Sequence, residues 1–422
     1  MFLYIDPGTG SMLFTILIGI LGTAVYLLRN VFVKLRFLFS GGAKVKQDED
    51  RVPFAIFTDS KRYWNVFGPI CEEFEKRGVP IEYFTASEDD PALNMEFEHV
   101  KCSFAGEGNR AFAKMNFVKA DVLLSTTPGL DVYQWKRSKD VRWYVHVPHA
   151  ASDICLYRMF GLDFYDAVFV SGEYQRGQIR KLEELRGLPA KELPMAGVPY
   201  LDTMKARLEK EGPAPEHPVT VLLAPSWGKT AIFSLYGGKI IEALLKTGYH
   251  VIVRPHPQSF TSEKEMIEGL MAQYPESSQL EWNRDNDNFE VLRRSDVMIS
   301  DFSGVIFDYS LVFGRPVIYT DSTFDSSPYD ACWLDEELWT FSVLPRIGRK
   351  LDDEGIANIK ELVDSVLYGE SYRTGIDEAR DETWQCRGEA VKRITDYMIS
   401  KREELLAKEA AEEARTAKKS VK

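Results

Sequence analysis

The stretch RRSDVMISDFSGVIFDYSLVFGRPVIYTD, residues 293–321, decides how this chain is read. An apolar run at 297–299 ends on Ser300 and Asp301, a second apolar run from 305 has helical spacing, and 317–320 is apolar again after Arg315 and Pro316. A buried strand, a helix and another buried strand form the unit from which parallel sheets are built. Polar residues crowd the junction where strand hands over to helix: Ser300, Asp301, Ser303 and Gly304. Ser or Asp at a helix start caps free N–H groups, which is a sufficient structural account. The same N–H groups and the positive end of the helix dipole also seat phosphate, and a glycine lets the backbone come close. Asp308, about one turn further, is either a helix-face carboxylate or an acceptor for a ribose or acceptor hydroxyl.

Moving outward, strand and helix alternate on both sides. VTVLLAPSW, YHVIVRPHP and LEWN read as further strands, separated by YGGKIIEALLKTG, a helix from Ser262, and NFEVLRRS. The Pro-rich segment EGPAPEHP (211–218) divides this series from an earlier one. There VPFAIFTDS, IEYFTAS, VKCSFAG, ADVLLSTTPGL and VRWYVHVPHA are short apolar runs ended by turn or polar residues, and YDAVFVSGEYQRGQIRKLEELRG repeats the strand-then-helix scheme. Two such series predict an α/β chain of two Rossmann-like, doubly wound domains facing one another, at 52–210 and 218–375. A helical, charged segment at 376–422 reads as a solvated tail.

In an open parallel sheet ligands bind at the carboxyl ends of the strands. Three strand ends of the second series carry unusual residues: Ser226 and Lys229 in APSWGKT, Arg254 and His256 in RPHPQS, and the SDFSG junction. Arg254 offers a planar fork for phosphate oxygens and His256 can donate or bear charge, while Pro255 and Pro257 hold the loop extended. Pairing of Arg254 with an acidic neighbour is the structural alternative. In the first series VHVPHAASD puts His149 at a strand end, close enough to an interdomain cleft to serve as a general base. His146, within the strand, is expected to be buried, and a metal site shared with His149 is not expected because the two rings should fall on opposite faces. No HExxH, nucleophile elbow or paired-carboxylate motif is present.

Composition narrows the classes. The 422 residues are 45% apolar and carry 64 Asp and Glu against 52 Lys and Arg, an acidic balance that argues against nucleic acid as a partner. Five scattered cysteines without CxxC spacing point to a reducing compartment and no structural zinc. The run SMLFTILIGILGTAVYLL (11–28) lacks charge and is just long enough to span a bilayer, with Arg29, Lys34, Arg36, Lys44 and Lys46 following and no basic residue before it. The positive-inside rule then makes 1–40 a single-pass anchor in the cell membrane, with a linker at 41–51 and the remaining domains cytoplasmic. A core helix is the alternative, and a cleavable signal peptide lacks its basic n-region and cleavage site.

These motifs resemble the CDP-glycerol glycerophosphotransferases that build teichoic-acid-type polymers. SDFSGVIFDYSLVFGRPVIY looks like the family's serine-rich helix start, VIVRPHP like its Arg-His loop, APSWGK like its APTW element, VPHA like its Trp-His-Gly segment and MAGVPYLD like its Gly-x-Pro-Arg-x-Asp turn. The resemblance implies a GT-B-like fold, membrane association, and transfer of a polyol phosphate from a CDP-polyol donor to a lipid-linked or polymeric acceptor with release of CMP, without a tightly bound cofactor or metal. It implies His149 as catalytic base, and Arg254, His256, Ser303 and the Gly304 backbone as holders of the donor diphosphate. The sequence departs from the family pattern at Ala150, Tyr200 and Gly304, which bears more on the acceptor than on the donor. A GT-B glycosyltransferase using a nucleotide sugar, or a membrane-tethered relative without catalysis, remain the alternatives from sequence.

Overall fold

The computed structural model describes residues 51–420 except 286, 302, 321–323 and 370–371, with side chains through 416. The expected anchor at 1–40 and most of the linker lie outside them, and among the described residues no helix is long and apolar enough to cross a membrane.

The apolar runs form two six-stranded parallel sheets. The first contains β1 (Val52–Thr58), β2 (Ile81–Thr85), β3 (Val100–Phe104), β4 (Ala120–Ser125), β5 (Val141–His146) and β6 (Ala167–Val168) in the order β3-β2-β1-β4-β5-β6. The second contains β7 (Thr220–Ala224), β8 (His250–Val253), β9 (Leu280–Trp282), β10 (Val297–Ser300), β11 (Val317–Thr320) and β12 (Gly348–Leu351) in the order β12-β11-β10-β7-β8-β9. Counted within each half, the two orders are the same, the 3-2-1-4-5-6 winding whose direction reverses between the first and fourth strands. β4 and β7 are buried at every position, as strands covered on both faces must be. The edge strand β12 (GRKL) was not anticipated: Arg349 and Lys350 are exposed, so no apolar run announces it.

Several described segments cross between the halves. The helix Pro199–Glu211, expected to close the first half, buries Leu201 and Met204 in the core of the second, beside Leu222, Met298 and Val317. After β11 the chain returns to the first domain. Met159 N–H donates to Pro328 O at 3.2 Å, Asp330 N–H donates to Tyr157 O at 2.9 Å, and Tyr174 stacks on Trp339 with ring centroids 5.2 Å apart. Asp153, 2% exposed, accepts from the Trp339 and Thr340 amides at 3.0 and 2.6 Å and from Gln178 Nε2 at 2.5 Å.

The C-terminal segment is not a solvated tail. Asp202 accepts from the Gly388 and Ala390 amides at 2.8 and 3.0 Å, capping the helix Ala390–Ser420. Ala390, Ile394 and Met398 then bury one helical stripe, and Ile394 and Met398 join the first-domain core with Phe54, Phe67 and Phe169. Gly197 marks the close approach: at φ +90° it takes a left-handed conformation, and a Cβ there would meet Gln385 O at 2.5 Å. Met398→Ala should lower the unfolding free energy by about 3 kcal/mol, because the cavity is lined by first-domain side chains. Urea unfolding checks this; a change within about 0.5 kcal/mol, as for a surface position, would restore the solvated tail.

Candidate active site

The carboxyl ends of the central strands carry the candidate residues on two walls. On the first wall His149 follows β5 and is partly exposed. Thr126 Oγ1 lies 3.4 Å from its Nδ1, and Tyr63 and Tyr157 flank the ring at 5.0 and 6.3 Å between centroids. Nε2 has no protein partner among the described residues. Burial pushes the imidazole pKa down to about 4, so His149 is neutral at pH 7 and available to take a proton. His146 is fully buried as expected, with Nε2 3.0 Å from Tyr157 Oη. Its ring also touches Tyr157, at 5.0 Å, so the two histidines bracket one tyrosine instead of pointing to opposite faces. Among the described residues no group of three or more His, Cys, Asp or Glu is placed to hold a metal.

On the second wall Arg254 ends β8. Its Nη1 donates to Asn283 Oδ1 and to Asp285 O, both at 2.7 Å, and Asn283 Nδ2 in turn donates to Asp285 Oδ2 at 2.9 Å. One edge of the guanidinium is thus anchored by neutral oxygens, while Nε and Nη2 keep their donors for a ligand, a pre-set fork for phosphate. His256 Nδ1 accepts the Gln258 N–H at 3.1 Å, which places the proton of the neutral ring on Nε2. Burial, then Arg62 and Arg254, lower its pKa, so His256 is a neutral donor and not a cation. Arg62 belongs to the first domain, in the 3-10 turn Lys61–Tyr63, and its charge reaches His256 across the cleft. Sequence reasoning overlooked Arg62, although it follows a strand end.

The SDFSG junction divides into two roles. Ser300 and Asp301 are fully buried. Ser300 Oγ donates to Ala224 O at 2.6 Å, and Asp301 accepts from the amides of Ser226, at 2.9 and 3.0 Å, and Ile232, at 3.1 Å. Neither is exposed, and both hold the APSWGK loop at the end of β7. Ser226 is likewise buried, with its side chain turned to the Asp301 carboxyl, whereas Lys229 is exposed. Ser303 and Gly304 begin the helix Val305–Phe307, which continues as a π-helical turn, Asp308–Val312. The amides of Ser303, Gly304 and Val305 have no intramolecular acceptor among the described residues, and a Cβ on Gly304 would meet nothing within 4 Å. Gly304 has an ordinary helical φ of −57°, so open space, not backbone strain, distinguishes it.

Asp308 is linked to the helix Pro199–Glu211. Tyr200 Oη donates to Asn288 Oδ1 at 2.7 Å, and Asn288 Nδ2 lies 3.4 Å from Asp308 Oδ2. Burial pushes the Asp308 carboxyl up to about 7, with the Asn288 contact opposing. The native state therefore binds a proton between about pH 4 and 7 that the unfolded chain does not, and this stabilisation is lost as pH rises through 7. Asp308→Asn is expected to raise the melting temperature by a few degrees at pH 8 and by about a third as much at pH 5. An equal change at both pH values would show that Asp308 is ionised throughout.

Residues 162–331 match the family model of CDP-glycerol:poly(glycerophosphate) glycerophosphotransferase. No curated protein matches the chain significantly. Among solved structures, the wall teichoic acid polymerase TagF, soaked with CDPG, is similar at a TM-score of 0.55 and 14% identity, over 92% of this chain and 99% of that one. UDP-GlcNAc 2-epimerases from Methanocaldococcus jannaschii (TM-score 0.52, 13% identity) and Neisseria meningitidis (0.51, 12%) align over 83% of this chain and 99% and 100% of theirs. At these identities the likeness is one of fold, two Rossmann-like domains around a cleft. The family match takes in β7 to β11 with Arg254, His256 and the SDFSG junction, and over residues 162–331 the chain is similar to the CDP-glycerol glycerophosphotransferases.

Proposed function

We propose that the chain moves a polyol phosphate, glycerol phosphate or a close relative, from a CDP-activated donor to a hydroxyl of a cell-envelope polymer or lipid-linked acceptor at the membrane, releasing CMP. The observation that carries this reading is the fork of Arg254, together with the amides of 303–305 that have no acceptor among the described residues, at strand ends of one sheet inside the family match. The uncharged run 11–28 with basic residues behind it supports a membrane anchor that leaves both domains on the cytoplasmic side.

In this reaction the acceptor O–H gives its proton to Nε2 of His149 as its oxygen attacks the β-phosphorus of the donor. The bond from that phosphorus to the oxygen of CMP breaks, and the electron pair leaves with CMP. Arg254, the Nε2–H of His256 and the helix-start amides stabilise the departing charge. The bound diphosphate also reverses the field at both histidines: its negative charge raises their pKa values, which favours proton transfer to His149 in the loaded cleft.

His149→Ala should reduce CMP release from CDP-glycerol in the presence of a lipid-linked acceptor by about a thousandfold, with CDP-glycerol affinity changed less than about twofold. Isotope-labelled donor and calorimetry read the two quantities. If the unaltered protein releases CMP from no CDP-polyol while a known transferase does so in parallel, the proposed function fails.

A further inference from the structure

The first sheet has its own crevice at the point where the winding reverses, between β1 and β4. The parallel register Phe57↔Ser125 carries the two chains out of the sheet side by side, so Asp59 comes opposite Thr127. A tight turn follows β1: Thr58 Oγ1 donates to Ser60 O at 2.9 Å and the Ser60 amide returns to Thr58 Oγ1 at 3.3 Å. The turn leaves Asp59 exposed at its tip, on the same rim as His149.

Thr127 is the complementary feature. It is 4% exposed, its amide donates to Ser125 Oγ at 3.0 Å, and its carbonyl accepts from Tyr165 Oη at 2.5 Å. The Thr127 side chain faces the Asp59 carboxyl, whose pKa is raised by desolvation and lowered by a hydrogen bond with Thr127. The carboxyl and the hydroxyl therefore form one polar lip on the crevice, able to share a further O–H between them. Thr126, its neighbour, contacts His149. Tyr63 and Tyr157 wall the same chamber; their pKa values are raised first by burial and further by the Asp59 charge, which places that carboxylate within the chamber's field.

We propose that Asp59 and Thr127 bind a second hydroxyl of the acceptor, making the first-domain crevice specific for a diol or polyol end. A carboxylate suits that task and not the donor's, since it repels a diphosphate and accepts strongly from a neutral O–H. With one hydroxyl held between Asp59 and Thr127, its neighbour is presented to Nε2 of His149, and the nearby negative charge favours the imidazolium that forms. The inference rests on His149 being the base.

The test measures transfer from CDP-glycerol to two acceptors, a short glycerol-phosphate oligomer and the same oligomer with a single hydroxyl on its terminal unit. Asp59→Asn and Thr127→Val should each raise KM for the diol acceptor by about tenfold, with kcat changed less than about threefold and CDP-glycerol affinity within about twofold. Thr127→Ser should restore most of the loss. With the single-hydroxyl acceptor, the unaltered protein and Asp59→Asn should behave alike. The inference is overturned if KM for the diol is unchanged in both variants, or if donor affinity falls in step with it. A full chain with no transfer activity overturns it together with the assignment of His149, whereas intact transfer with an indifferent Asp59 removes this inference alone.

Discussion

The buried carboxylate of Asp153 fixes the relation between the two walls of the cleft. It lies four residues beyond His149 and accepts the amides of Trp339 and Thr340, in the segment that returns from the second domain. A buried carboxylate without these donors is strongly penalised, so the contact is all-or-none, and it places the strand end bearing His149 against the half that carries Arg254. Asp330, Tyr174 and the capping of Ala390–Ser420 by Asp202 repeat the logic at other crossings. Each uses a polar group that would be costly if the domains separated.

Within each domain the same device frames the crevice. Ser125 at the end of β4 donates to Phe57 O at 2.8 Å, and Ser300 at the end of β10 donates to Ala224 O at 2.6 Å. Both serines join the fourth strand of their sheet to the first, at the winding reversal. The domains diverge beyond that shared clamp. The first places carboxyl and hydroxyl groups, Asp59 and Thr127, beside a neutral histidine, while the second places an anchored arginine and N–H groups without an acceptor among the described residues. The first wall thus offers hydrogen-bond acceptors alongside Arg62, and the second mainly donors.

Much of this was legible in the sequence because buried parallel strands read as apolar runs and their ends as polar interruptions. Arg254, His256 and His149 stood out for that reason. Ser300 and Asp301 gave the same signal with a different meaning, since a sequence does not show which amides a buried carboxylate will accept. Asp59 and Arg62 also follow a strand end, in TDSKR, but nothing in that run separates them from an ordinary turn. The stripe Ala390, Ile394, Met398 has helical spacing and was legible in principle; the surrounding charge concealed it. Contacts such as Asp153 with Trp339 join positions too far apart in the chain for any local pattern to reveal.

The central claim is that the second wall seats the diphosphate of a CDP-polyol. Calorimetric titration of the full chain with CDP-glycerol, for the unaltered protein and for Arg254→Gln, tests it most directly. Loss of the guanidinium fork should weaken binding by at least about tenfold, with no comparable binding of UDP-GlcNAc to the unaltered protein. Equal CDP-glycerol affinity in the two proteins, or a preference for the UDP-sugar, would contradict the account.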